Sequence, residues 1–280
     1  MELEKIIENV YALGVIPVIK IENADDAVPL ADALCRGGLP AAEVTFRTAA
    51  AGEAIRLMHE AVPNMLICAG TVLTPAQADE AMAAGATFVV SPGLNPDIVR
   101  HCVDKDIPII PGCATPSDME RALSFGLSVV KFFPAEAAGG LSAIKAMSAP
   151  YSQLRFMPTG GINPDNLPTY LSFNKILCCG GSFMVPGGLM KAGDFDGIAA
   201  LTQEAVRAVH GFTVKSLPQM GGSSSLSRLL RMEGDALRLQ VRDLKRALAY
   251  LRLIGYETEN ENGQLLVKTD MSCPVVISEN

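Results

Sequence analysis

The sequence predicts an α/β protein, a (β/α)8 TIM barrel followed by a small C-terminal βαβββ appendage. Three observations support this fold class. Eight short β-type runs follow one another along the chain, a helical pattern comes after each of them, and the eight β/α units fit into about 200 residues. A doubly wound open sheet is the structural alternative, and the number of units favours the closed barrel.

The eight runs are short and apolar, as expected of strands buried in a parallel sheet. Two of the segments between them, TPAQADEAMAAG (74–85) and TPSDMERALSFG (115–126), open on Thr-Pro and close on Gly, which are typical start and end signals of a helix. The predicted strands are GVIPVIK (14–20), AAEVTFR (41–47), NMLICAGTVL (64–73), ATFVVSPG (86–93), IPIIPGC (107–113), LSVVKFFPA (127–135), RFMPTGGI (155–162) and NKILCCGGS (174–182).

The β/α pattern stops near Thr213, so we assign residues 1–213 to the barrel. The Gly/Ser-rich segment after it predicts a linker over residues 214–235. Residues 236–280 then form a small α+β module whose role the sequence does not define. Its predicted elements are the strand ALRLQV (236–241), the helix RDLKRALAYLRLIG (242–255) and the short strands YETENE (256–261), QLLVKT (264–269) and PVVISE (274–279).

Composition narrows the class of protein. Of the 280 residues, 49% are hydrophobic and 19% are charged, which is typical of a globular chain. The net charge is -7 and no basic cluster stands out, so we expect no nucleic-acid partner. The N-terminal stretch MELEKIIENVYALG carries no signal-peptide pattern, and the apolar runs are too short to span a membrane.

The cysteines and histidines bear on the compartment and on metal binding. The 7 cysteines are an odd number without CxxC spacing, which indicates reduced thiols in a cytoplasmic protein. The 3 histidines lack the spacing of metal ligands, so we expect no metal cofactor. Cys178 and Cys179 are interpreted as packing residues, because no histidine lies close in sequence to pair with them.

Polar residues near the carboxyl ends of the strands are the candidates for chemistry, because barrel enzymes carry their active sites there. In the second strand Glu43, Thr45 and Arg47 alternate with the apolar Val44 and Phe46. We expect the apolar pair to face the helices, with Glu43 and Arg47 pointing into the barrel. The alternative is an internal salt bridge that only fills space. A buried pair is weak evidence for stability, so a functional role is favoured.

Lys131 lies within SVVKFFPAE (128–136), an otherwise apolar strand. Charged residues are rarely buried unless they are paired or used for chemistry. Because desolvation disfavours the ammonium form, such a lysine is suited to act as a neutral amine that forms a Schiff base with a ketone. The alternative is a lysine whose ammonium reaches solvent along its aliphatic stem. The strand pattern alone leaves both open.

The last two strands end in glycine pairs, in PTGGINPDN (158–166) and CGGS (179–182). The loops after these strands are the usual phosphate site of the barrel fold. Glycine allows backbone N–H groups to approach an anion, and the helix that starts at Asn163-Pro164 favours negative charge at its N-terminus. Simple tight turns are the alternative. Thr71, which ends the third strand, is a candidate contact for a small carboxylate or a strand-end threonine without a role.

Taken together, the motifs resemble the class I 2-keto-3-deoxy-6-phosphogluconate / 4-hydroxy-2-oxoglutarate aldolases. The resemblance runs from residue 5 to residue 212, and the motifs keep the family's order and spacing. It is carried by GVIPVI, AAEVTFRT, CAGTVLTPAQ, SPGLNPDI, PIIPGCATPSD, VKFFPAE, PTGGI and GGSFMVP. Phe183 and Phe46 stand where the family often has Trp and Leu, and these differences bear on the aldehyde specificity.

The resemblance implies roles for single residues. Lys131 would be the Schiff-base lysine and Glu43 the general acid/base. Arg47 and Thr71 would contact the pyruvyl carboxylate, with Phe133 packed beside it. The resemblance also implies a homotrimer that needs no metal or other cofactor. The residues implied for the phosphate of the aldehyde half are Thr159, Gly160, Gly161 and Ser182.

The predicted function is therefore a lyase of the Entner–Doudoroff type acting on a small-molecule 2-keto acid. It would cleave 2-keto-3-deoxy-6-phosphogluconate (KDPG) to pyruvate and glyceraldehyde 3-phosphate, or 4-hydroxy-2-oxoglutarate (KHG) to pyruvate and glyoxylate. The alternatives are a phosphate-binding isomerase or epimerase that uses Glu43 and Lys131 as acid and base, a metal-dependent pyruvate aldolase, and a barrel kept as an assembly scaffold. The tail resembles, more weakly, one module of the vicinal-oxygen-chelate fold. No histidine follows His210, so we expect no metal site there.

Overall fold

The computed structural model describes residues 3–216, 237–261, 264–269 and 275–279. The chain divides into two compact units, Met1–Val209 and His210–Asn280. Most of the predicted linker, residues 217–235, lies outside the described residues. None of the helices in the described part of the chain has the length and hydropathy needed to cross a membrane.

The strands of the first unit agree with the eight predicted runs, and each lies inside its predicted range. Their bounds are β1 Val15–Ile19, β2 Ala41–Thr45, β3 Leu66–Gly70, β4 Phe88–Val90, β5 Ile109–Ile110, β6 Val129–Phe132, β7 Arg155–Pro158 and β8 Cys179–Gly181.

The eight strands are parallel and close into a ring. Six of them form one sheet in the order β5-β4-β3-β2-β1-β8, and β6 pairs with β7. Isolated bridges complete the circle, Gly112↔Lys131 between the β5 and β6 segments and Thr159↔Gly180 between the β7 and β8 segments. Neighbours in the ring are therefore neighbours in sequence, which confirms the (β/α)8 barrel.

Helices follow the strands and cover the outside of the ring. The two Thr-Pro segments begin helices as predicted. Thr74 accepts a hydrogen bond from the backbone of Gln77, and Thr115 forms a capping box with Asp118. The helices of this part of the chain are α1 Leu3–Leu13, α2 Ala27–Arg36, α3 Ala51–Ala61, α4 Pro75–Ala83, α5 Pro96–Asp104, α6 Pro116–Ser124, α7 Gly140–Ser148, α8 Leu167–Leu171, α9 Gly187–Ala192 and α10 Phe195–His210.

The second unit is a five-stranded sheet with one helix. The sheet order is β11-β12-β13-β10-β9, and only β10 and β13 run parallel. Leu244, Leu248 and Leu251 of the helix pack against the buried core of the sheet, so the predicted βαβββ module has a core of its own. The elements are β9 Thr213–Ser216, β10 Leu237–Val241, α11 Leu244–Leu253, β11 Thr258–Glu261, β12 Gln264–Val267 and β13 Val275–Glu279.

The first strand of this unit, β9, was not predicted. From the sequence alone, Thr213 is predicted to end the barrel and residues 214–235 to form a linker. In the structure β9 pairs antiparallel with β10 and joins the second sheet. A four-residue strand that follows directly on a helix gives little periodicity to detect.

Candidate active site

Strand β2 directs Glu43 and Thr45 into the barrel, while Val44 faces the helices. Glu43 is 0% exposed and lies in register with Val18 of β1 and Cys68 of β3. Gly70 of β3 makes room for its carboxylate, because a Cβ built on Gly70 would overlap Oε1 of Glu43. The alternation of side chains along β2 thus points Glu43 into the interior, and the lack of a side chain at Gly70 leaves space for its carboxylate.

Lys131 of β6 meets Glu43 inside the barrel. Its Nζ donates a hydrogen bond to Oε1 of Glu43 at 3.1 Å, and its side chain is 7% exposed. The alternative of a lysine that reaches solvent therefore does not hold. A salt bridge between Glu43 and Arg47 does not form either, because the partner of Glu43 is Lys131.

The second carboxylate oxygen of Glu43, Oε2, is buried and has no hydrogen-bond partner. Buried polar atoms are nearly always satisfied, so an unpaired one calls for a reason. An unpaired carboxylate oxygen beside an amine is placed to accept a proton from a substrate hydroxyl or from water. The pair offers a nucleophile and a proton acceptor within one hydrogen bond of each other.

Arg47 lies beyond the end of β2, in a turn at the mouth of the barrel. Its side chain is exposed, so it does not point into the closed interior as the strand alternation predicted. The alternation stops because the strand ends at Thr45, and the Arg47 N–H donates to the Thr45 carbonyl at 2.7 Å. The guanidinium Nε donates to Oγ1 of Thr45 at 3.0 Å.

Thr71 and Phe133 also lie at this end of the barrel. Thr71 follows β3 with a φ of 56°, a left-handed backbone conformation that β-branched residues rarely adopt. Phe133 follows β6, is 38% exposed, and has its ring centroid 5.5 Å from Nζ of Lys131. The carboxyl ends of β3 and β6 therefore carry these two residues, and the ring of Phe133 lies beside the lysine.

The glycine pairs follow β7 and β8 at the same end. Gly160 and Gly161 have φ values of 101° and 80°, a region of backbone conformation that favours glycine. Thr159 precedes them, and its buried Oγ1 has no hydrogen-bond partner. Gly180 has no side chain to block this hydroxyl, since a Cβ there would overlap it. Ser182 is exposed just past β8.

The cysteines near Lys131 and Glu43 are not suited to act as nucleophiles. Burial, followed by the charge of Glu43, raises the pKa of the Cys68 thiol well above its usual value. Cys178 and Cys179 are buried, as expected of packing residues. Among the residues that the structure describes, no cluster of His, Cys, Asp and Glu has the geometry of a metal site.

Three residues of this site were not singled out from the sequence. Gly70 and Cys68 are the strand neighbours of Glu43, and Thr45 is the neighbour of Arg47. The alternation of β2 placed Thr45 on the same face as Glu43, which was a usable signal. The importance of Gly70 depends on which side chain approaches it from the next strand, and no local pattern encodes that.

A comparison with protein families matches residues 6–201 to the family described as KDPG and KHG aldolase. The match covers well over half of the chain. The chain belongs to the KDPG and KHG aldolase family. The resemblance, the barrel fold and the assignment as an aldolase, all predicted from the sequence, are confirmed by this match and by the relatives below.

The curated relatives match over nearly their whole length. A 2-dehydro-3-deoxy-phosphogluconate aldolase of Treponema pallidum is 51% identical over 204 residues, which are 73% of this chain and 97% of that protein. The KHG/KDPG aldolase of Escherichia coli K12 is 46% identical over 200 residues, 71% of this chain and 94% of the relative. The barrel unit alone thus corresponds to nearly a whole protein in these organisms.

Two solved structures of KDPG aldolases also match this chain. The KDPG aldolase of Zymomonas mobilis ZM4, solved with 3-phosphoglycerate, is 47% identical with a TM-score of 0.68, covering 71% of this chain and 94% of that one. The KDPG aldolase of Legionella pneumophila, solved with pyruvate captured as a covalent carbinolamine, is 42% identical with a TM-score of 0.69. The latter match covers 71% of this chain and 97% of that one.

Proposed function

We propose that the protein is a class I aldolase that cleaves KDPG to pyruvate and glyceraldehyde 3-phosphate, and KHG to pyruvate and glyoxylate. The observation that carries this proposal is the buried amine–carboxylate pair, with Nζ of Lys131 3.1 Å from Oε1 of Glu43. Membership in the aldolase family supports the same chemistry.

The reaction begins at Lys131 and Glu43, which are hydrogen-bonded to each other. Glu43 takes a proton from the ammonium of Lys131, and the neutral Nζ attacks the C2 ketone of the substrate to give a carbinolamine. Glu43 then returns this proton to the carbinolamine hydroxyl, which leaves as water, so that a protonated imine and an ionised Glu43 remain. A hydrogen-bonded carboxylate is suited to this step because the proton moves along a contact that already exists.

The imine then accepts electrons. The C3–C4 bond breaks, its electron pair moves to C3 and onto the cationic nitrogen, and Glu43 removes the proton of the C4 hydroxyl. The aldehyde leaves and an enamine remains on Lys131. Glu43 returns its proton to C3, and water hydrolyses the imine to release pyruvate. General acid–base help of this kind contributes ~10²–10⁴-fold to a rate.

Three residues at the barrel mouth would hold the pyruvyl half. In the proposal Arg47 and Thr71 bind its carboxylate, and the ring of Phe133 packs beside the imine. The strained φ of 56° at Thr71 supports a role, because strain of this kind concentrates at functional sites. A guanidinium suits a carboxylate because its planar fork of N–H donors matches the two oxygens.

The phosphate of the longer substrate would lie over the glycine pairs. In the proposal Thr159, Gly160, Gly161 and Ser182 bind it. The buried, unpartnered hydroxyl of Thr159 supports this, since a polar atom without a partner is open to a ligand. The Zymomonas mobilis relative was solved with 3-phosphoglycerate, a phosphorylated acid, which is consistent with a phosphate subsite in the family.

We also propose that the protein is a cytoplasmic homotrimer. The six described cysteines form no disulfide with one another, and five of them are buried, which suits a reducing compartment. The trimer rests on the family resemblance. Light scattering coupled to size exclusion measures it directly, and a monomer or a dimer would overturn it.

A coupled assay for pyruvate release tests the proposed function. Both KDPG and KHG are expected to yield pyruvate, and a chelator is expected to leave the rate unchanged. An isomerase or epimerase would release no pyruvate, and a metal-dependent aldolase would lose its activity with the chelator. A barrel that serves only as a scaffold would turn over neither acid.

A further inference from the structure

We propose that Thr45 is a positioning residue that orients the Arg47 guanidinium, so that its two terminal nitrogens face the substrate carboxylate. The inference rests on the proposed function, in which Arg47 binds that carboxylate. Thr45 itself would touch neither the substrate nor the reacting atoms.

The direction of the hydrogen bonds at Thr45 is fixed. Its hydroxyl is buried, with the residue 2% exposed, and lies 2.7 Å from the carbonyl oxygen of Ile19 and 3.0 Å from Nε of Arg47. A hydroxyl has one hydrogen, and a carbonyl oxygen can only accept. The hydrogen of Thr45 therefore points to Ile19, and its lone pair faces the N–H of Arg47.

The support beneath this contact is rigid. Ile19 is the last residue of β1 and Thr45 is the last residue of β2, and the two strands pair directly, with Ile19 opposite Val44. The turn after β2 returns the Arg47 backbone to the Thr45 carbonyl at 2.7 Å. The exposed arginine is thus anchored to the barrel wall.

The anchor selects one mode of carboxylate binding. Arg has five N–H donors in a planar fork, and Thr45 occupies the one on Nε. No carboxylate among the described residues pairs with this guanidinium. The donors left for the substrate are those on Nη1 and Nη2, so the carboxylate binds end-on to the fork.

Thr45→Val, Thr45→Ser and Thr48→Val separate this role from simple packing. Valine keeps the shape of threonine but removes the acceptor for Arg47, and serine restores it. Thr48 is a matched control, because its hydroxyl donates to the carbonyl of Ile21 at 2.6 Å, whereas Nε of Arg47 donates to Thr45. The readouts are the pyruvate concentration that gives half-maximal borohydride trapping, the maximal trapping rate, and the melting temperature.

Thr45→Val is expected to raise the half-saturating pyruvate concentration roughly tenfold, as for loss of a hydrogen bond to a charged group, with the maximal rate within a few-fold. Thr45→Ser and Thr48→Val are expected to stay near the unmodified protein. In an Arg47→Ala background, Thr45→Val should add nothing further, because the two residues act as a unit.

The proposal is overturned if Thr45→Val binds pyruvate normally, if Thr45→Ser is as poor as Thr45→Val, or if the effects of Thr45→Val and Arg47→Ala multiply. Normal pyruvate binding by the single variant Arg47→Ala would be a different result. It would show that Arg47 does not bind the substrate carboxylate, and it would not affect the proposed imine chemistry at Lys131. If Thr45→Val does not fold, NMR of the unmodified protein decides. The Nε proton of Arg47 should exchange slowly with water, and fast exchange would contradict the anchor.

Discussion

The Nζ atom of Lys131 lies 3.1 Å from Oε1 of Glu43 in the interior of the barrel, although the two residues are 88 positions apart in the chain. Both side chains are withdrawn from water, at 7% and 0% exposed. A buried pair contributes little to stability on its own, and removing one partner leaves the other uncompensated. The arrangement is explained better by proton transfer between the two groups.

Glu43→Gln tests that explanation. The amide keeps the shape of the carboxylate but cannot take up a proton, so kcat is expected to fall ~10²–10⁴-fold while pyruvate binding changes little. Steady-state pyruvate release measures kcat, and product inhibition by added pyruvate measures pyruvate binding. A kcat within a few-fold of the unmodified enzyme would remove Glu43 as the general base.

Thr71→Gly tests whether the strained threonine serves binding at a cost in stability. Glycine adopts a φ of 56° without strain, which offsets the entropy it loses on folding, so the melting temperature is not expected to fall. The half-saturating pyruvate concentration is expected to rise.

Asp106→Gly is the matched control for that variant. Asp106 has a φ of 55° and follows α5, away from the strand ends that carry the site. Its replacement should leave both the melting temperature and pyruvate binding close to those of the unmodified enzyme. Weaker pyruvate binding in both variants, or in neither, would contradict a specific role for Thr71.

Ser182→Ala tests the phosphate subsite by comparing two substrates. A hydrogen bond to a charged group is worth ~1.5–3 kcal/mol, so KM for KDPG should rise roughly tenfold or more. KM for KHG should hardly change, because that substrate has no phosphate. Equal effects on the two substrates would place the phosphate elsewhere.

A chain that ends at Phe212 tests the division into domains. It stops just before β9, and the barrel that remains corresponds to nearly the whole length of the Treponema pallidum relative. We expect it to fold and to keep aldolase activity, with changes limited to solubility or oligomeric state. A truncated protein that is soluble and assembled like the full chain, but inactive, would mean that residues 213–280 contribute to the site.

The sequence predicted the elements of this barrel because each strand is a short apolar run and each helix has its own start and end signals. It also directed Glu43 inward, since alternation along β2 is a local property. It could not predict that Glu43 would meet Lys131. That contact depends on how eight strands close into a ring, which no segment encodes alone.

Arg47 shows a second limit. The alternation predicted an inward side chain, but β2 ends at Thr45 and the turn places the guanidinium at the mouth. Strand ends depend on where the hydrogen bonds of the neighbouring strands stop. A pattern of apolar residues does not record that point.

Borohydride reduction in the presence of pyruvate, followed by mass spectrometry of the peptides, tests the Schiff-base mechanism. One pyruvyl-derived group is expected, on Lys131. Lys131→Ala and Lys131→Arg should abolish both adduct and turnover, since a guanidinium stays protonated. Lys20→Ala, which changes an exposed lysine paired with Glu22, should keep both. An unmodified Lys131, or an undiminished adduct in Lys131→Ala, would contradict the Schiff-base mechanism.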